Sequence, residues 1–127
     1  MRMVGVLALA LAAGVANAAG LWNGQQLAEM CEFDEAVQKG TARGPEIYLG
    51  GQCMGFIVGV AEVFNDEMKV IDIPESETYE AIIRVVREYL KEHPDELHES
   101  AKLLAFRALV KAYPPAFLKA YPPEPEE

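Results

Sequence analysis

Two cysteines, Cys31 and Cys53, and two histidines, His93 and His98, carry the sharpest chemistry in this 127-residue chain. A cysteine–histidine dyad needs a free thiolate beside an imidazole. Glu29, Glu32, Asp34 and Glu35 crowd around Cys31 in sequence, and neighbouring carboxylates disfavour a thiolate. A zinc pair on one helical face needs histidines four residues apart, about one turn. His93 and His98 are separated by five, with Pro94 between them, and Asp95 and Glu96 could add oxygen ligands. Carboxylate pairs such as Asp66/Glu67 and Asp95/Glu96 are ordinary on an acidic surface. The sequence has no Gly-x-Ser-x-Gly elbow, no phosphate loop and no dinucleotide fingerprint. The residue types therefore point away from an enzyme, and neither a metal nor a cofactor is expected.

The compartment explains the cysteines. Arg2 precedes an apolar run from Val4 to Val15, and Ala16-Asn17-Ala18 has the small-x-small form of a cleavage site. Residues 1–18 thus have the three-part pattern of a secretory signal peptide. The run is shorter than the roughly 20 residues of a spanning helix, which argues against a retained anchor. No later stretch is expected to span a bilayer. Cleavage leaves a chain beginning at Ala19, exported to the periplasm or beyond. In an oxidising compartment an even cysteine count favours a disulfide, here between Cys31 and Cys53.

Local patterns predict helices throughout. Asn23 and Gln26 have capping-box spacing, and Trp22 and Leu27 have that of a hydrophobic staple, so a first helix runs to about Cys31. Residues 32–45 read as a polar loop containing Gly40, Gly44 and Pro45. A second helix is expected over about 46–65. Its apolar residues exceed a single stripe, which predicts the central, most buried helix. Gly51, Gly55 and Gly59 share one face of it and predict close approach by another backbone. A strand over Phe56-Ile57-Val58 is the competing local reading. Thr78 caps a third helix with Tyr79, Ile82, Ile83, Val86, Tyr89 and Leu90 on its apolar face, ending at His93-Pro94. Pro94 is then suited to open a last helix, which continues through Leu97, Ala101, Leu104, Ala105, Ala108, Leu109 and Ala112. Pro114-Pro115 ends it. The second Lys-Ala-Tyr-Pro-Pro copy and residues 124–127 read as an extended, mobile tail. The expected fold is an all-α bundle of four to five helices with one disulfide. Its domain spans 19–115 and its Pro/Glu-rich tail 116–127.

The formal charge is −9, with 11 basic and 20 acidic side chains. That balance disfavours nucleic acid and anionic membranes and favours a basic protein partner; solubility alone is the competing explanation. Against this background the order of motifs resembles the Rap/Tai family of periplasmic immunity proteins of type VI secretion systems. The resemblance covers about 21–115. It runs from Asn23-Gly24, Leu27 and Cys31 through Cys53-Met54-Gly55-Phe56-Ile57-Val58-Gly59-Val60-Ala61. It continues through Ile73-Pro74, Thr78, Val85-Val86 and Tyr89-Leu90 to His93-Pro94 and Ala112-Tyr113-Pro114. Family members often carry a second cysteine pair where this chain has Asp72 and Pro115. The joint absence supports pairing Cys31 with Cys53, and it implies that the 66–77 connection and the C-terminal end are less firmly tied.

The resemblance implies a helical domain, often a homodimer, that occludes the cleft of a peptidoglycan amidase. Asn65, Asp66, Glu67, Lys69 and Glu75 are the candidate partner contacts; an ordinary solvated loop is the alternative for them. Two other functions compete. One is a periplasmic acid-stress chaperone of the HdeA type, which neutralised carboxylates would open. The other is a structural or assembly role in the envelope.

Overall fold

The computed structural model describes residues 21–122, 124 and 125. The signal-peptide assignment lies outside them. Helices of eight residues or more are α1 (Gly24–Cys31), α3 (Pro45–Glu62), α4 (Tyr79–Glu92) and α5 (Ala101–Ala112). Two five-residue helices, α2 (Asp34–Gln38) and α6 (Ala116–Ala120), complete the set. The fold is all-α; no strand forms among the described residues, only a single antiparallel bridge between Asn23 and Ser100.

The capping box at Asn23 forms in both directions. The Gln26 amide donates to Asn23 Oδ1 at 2.9 Å, and the Asn23 amide donates to Gln26 Oε1 at 3.0 Å. The remaining free N–H groups at the start of α1 reach across the bundle: Gly24 donates to the Glu99 carbonyl at 2.8 Å and Gln25 to Leu97 at 3.0 Å. These bonds explain why the last long helix does not begin at Pro94. Carbonyls 97 and 99 are committed to α1, so Pro94–Glu96 makes only a 3₁₀ turn and α5 starts at Ala101, capped by Ser100. The approach is close enough to require glycine at position 24, where a Cβ would sit 3.0 Å from Leu97 Cα.

The expected loop over 32–45 contains α2. Asp34 and Glu35 lie in its first turn, where carboxylates favour the helix dipole. Gly40, at φ +69°, ends it, with Thr41 donating to the Ala36 carbonyl and Gly40 to Val37, the paired bonds of a Schellman stop.

Helix α3 packs on α1, α2, α4 and α5, and the predicted disulfide joins Cys53 to Cys31 of α1 with the Cα atoms 5.1 Å apart. Its buried face is Gly50, Cys53, Ile57 and Ala61. The expected backbone approach occurs at Gly50, where a Cβ would meet the Phe33 carbonyl oxygen at 3.0 Å. No neighbour lies within 4 Å of a Cβ built on Gly51, Gly55 or Gly59. One residue is 100° around a helix, so the glycine triplet faces outward. The helix is central in its contacts but is not the most buried. Ile47 and Tyr48 are 54% and 68% exposed, because only one side of α3 meets other helices. Contrary to expectation, the helix over Pro45–Glu67 contains an 18-residue window of mean hydropathy 1.5, long and apolar enough to cross a bilayer by length and composition.

The core is completed by Leu27, Ile83, Val86, Leu104 and Leu109. Within the segment read as a Pro/Glu-rich tail, Ala116–Ala120 is helical: Pro115 is its N-cap residue, and Ala-Phe-Leu-Lys-Ala contains good helix formers.

Candidate functional site

Of the five candidate contacts, Asn65, Asp66 and Glu67 lie where α3 changes geometry, Lys69 just beyond, and Glu75 in the connection that follows. Val63–Glu67 forms a π-helical turn directly after α3, closed by the Met68 amide donating to the Val63 carbonyl at 2.9 Å. Phe64 is held edge-on against Phe106 of α5, with ring centroids 4.9 Å apart. Such widened turns are frequent at functional positions. Lys69 follows with φ +55°, a left-handed conformation unusual outside glycine.

Asn65 organises the connection. Its Oδ1 accepts the Ile73 amide at 2.8 Å, and its Nδ2 donates to Asp66 Oδ1 at 2.6 Å. The half-buried Asn65 therefore fastens the returning chain to the π turn. Asp66, Glu67, Lys69 and Glu75 are exposed.

A groove of about 330 Å³ lies between the end of α3, residues 73–77 and the start of α4. Buried Ala61 and Ile82, with half-buried Val58 and Ile73, supply the apolar part of a lining that is polar in similar measure. Glu62, Asp66, Glu75 and Glu77 add four carboxylates. The structure thus brings Asn65, Asp66 and Glu75 into one groove, whereas Glu67 and Lys69 do not line it. Sequence reasoning missed Glu62, Glu77 and Tyr79. Glu62 lies one helical turn before Asp66, a spacing that signals a shared face; nothing local signals that the 73–77 segment folds back.

Glu77 fixes the far wall. It accepts the Thr78 amide at 3.0 Å and the Tyr113 hydroxyl at 2.9 Å. Burial, reinforced by the Glu77 carboxylate, pushes the Tyr113 hydroxyl up to about 12. Non-covalent ties hold the connection to the C-terminal end: the Asp72 amide donates to the Tyr113 carbonyl at 3.2 Å, and Lys119 reaches Asp72 Oδ2 at 2.9 Å.

The histidines sit at helix ends. His93 stacks on Tyr89 with centroids 3.9 Å apart, and His98 Nδ1 lies 3.1 Å from the Asp95 carbonyl oxygen. Among the described residues no group of three or more His, Cys, Asp or Glu side chains is placed to hold a metal ion. Both cysteines are in the disulfide.

The described residues thus form a disulfide-tied helical bundle with an acidic groove beside the π-helical turn. The sequence matches the family model for Rap1a immunity proteins over residues 23–115, and the chain belongs to that family. No curated protein and no solved structure matches it.

Proposed function

We propose that this chain is a periplasmic immunity protein that binds and occludes a peptidoglycan amidase delivered by a type VI secretion system. The family match across residues 23–115 carries the reading. The signal-like pattern of residues 1–18 supports export to the compartment where a cell-wall amidase acts. The chain acts by covering: exposed Asp66, Glu67, Lys69 and Glu75 on the turn and connection meet the effector, while Asn65 holds that backbone in place. A formal charge of −9 accelerates encounter with a basic enzyme. A second copy has a suitable seat on the outward face of α3, where no charged residue falls between Glu46 and Glu62.

Periplasmic co-expression with an amidase encoded beside this gene tests the reading. The expected results are protection from lysis, recovery of a stoichiometric complex and a mature N-terminus at Ala19. Asp66→Lys with Glu75→Lys weakens the complex by about tenfold or more, because repulsion replaces attraction at a charged interface. An amidase that neither binds nor is inhibited removes the target assignment and leaves family membership standing.

A further inference from the structure

The groove beside the π-helical turn has a definite chemistry. Its carboxylates are interleaved with the apolar side chains of Val58, Ala61, Ile73 and Ile82, and no three are placed to close on a metal ion. Among the described residues none of Glu62, Asp66, Glu75 and Glu77 forms an ion pair with a lysine or arginine. Glu77 is committed to Thr78 and Tyr113, and Asp66 to Asn65. Glu62 and Glu75 have no side-chain hydrogen bond in the described residues and are both exposed. Tyr79, 56% exposed, offers an aromatic surface at the same site.

A compact ion would make no use of the apolar side chains, and an apolar side chain would leave Glu62 and Glu75 without a partner. A long side chain with an aliphatic stem and a cationic head satisfies both. Its stem lies along apolar surface while the head remains among polar groups. Arginine fits best: its planar guanidinium bonds carboxylates through a fork of donors and stacks on an aromatic face. Asn65 and Glu77 tether the groove walls through bonds present before any partner arrives.

We propose that this groove is a socket for an arginine side chain presented by the protein partner. The chain then recognises its effector by receiving a side chain as well as by covering a cleft. The inference rests on the reading of this protein as an effector binder, but its test needs no effector.

The probe is N-acetyl-Gly-Arg-Gly-amide, titrated into the oxidised, isotopically labelled protein with amide shifts recorded. The control peptide replaces arginine with citrulline, which keeps the shape and removes the charge. Saturable shifts are expected at Ala61, Asn65, Ile73, Tyr79 and Ile82, with citrulline binding at least fivefold weaker. Glu62→Gln with Glu75→Gln weakens the arginine peptide about three- to tenfold, the range expected for two exposed ion pairs. Glu32→Gln with Glu92→Gln, which changes net charge equally, leaves binding within twofold. Shifts dispersed over the acidic surface, equal binding of citrulline, or equal losses in both double variants overturn the socket. None of these results bears on whether the intact protein inhibits an amidase.

Discussion

Among the described residues, Asp34 is the one charged side chain that the bundle buries, at 1% exposure. It accepts Gln38 Nε2 at 2.7 Å and faces Arg87 of α4 at 3.5 Å, while its Oδ1 has no partner. Burial raises its carboxyl above the usual range, outweighing the opposing pull of Gln38 and Arg87. A folded value above the unfolded one means that the folded state retains a proton the unfolded chain has lost. The contribution to stability is full below the unfolded value, near 4, and disappears as pH rises through the folded value. Relative to Asp34→Asn, the parent protein should therefore become more stable between pH 7 and pH 4 in urea melts. A relative loss on acidification would show that Arg87 dominates. The sign also bears on the acid-chaperone alternative, since Asp34 opposes acid-triggered opening. Sequence alone placed Asp34 in a polar loop; its burial depends on Arg87, 53 residues away.

The clearest contrast at the element scale is within α3. Gly50 is pressed against α2 and the residue before it, whereas Gly55 is open. Gly50→Ala should cost about 1–3 kcal/mol through overpacking. Gly55→Ala should raise monomer stability by about 0.5–1 kcal/mol through helix propensity. Thermal melts of the dilute monomer check both, and equal effects would mean that the two faces have been confused. Sedimentation of the Gly55→Ala protein adds a separate outcome: if a second copy packs on this face, the added methyl weakens the dimer while the monomer becomes more stable. Four-residue glycine spacing was visible in sequence. Which glycines are contacted was not, because neighbours in a helix differ by 100° in direction.

At the scale of the whole molecule, one covalent link holds the two ends of the early chain together. The Cys31–Cys53 bond closes a separation of 22 residues and joins α1 to α3. Restricting the unfolded chain in this way contributes about 3 kcal/mol, a large part of the roughly 5–15 kcal/mol typical of a domain. Reduction should lower the unfolding free energy by that amount; an unchanged urea midpoint would assign the joint to packing alone. The second tie, at Asp72, Tyr113 and Lys119, is non-covalent. Its exposed ion pair contributes at most about 1 kcal/mol, so reduction leaves no other covalent restraint among the described residues.

The sequence by itself determined the helical class, the Asn23 and Thr78 starts, the break at Pro94 and the cysteine pairing. Those features depend on capping within three residues, on apolar periodicity or on there being only two cysteines. Tertiary structure decided the start of α5, the outward turn of Gly51, Gly55 and Gly59, and the groove that unites Asp66 with Glu75. Each depends on which helix face meets which distant segment: the carbonyls of Leu97 and Glu99 are taken by α1, and the Ile73 amide is captured by Asn65. Local rules specify a helix and its phase. Packing between segments decides which part of that phase is buried and which remains open to a partner.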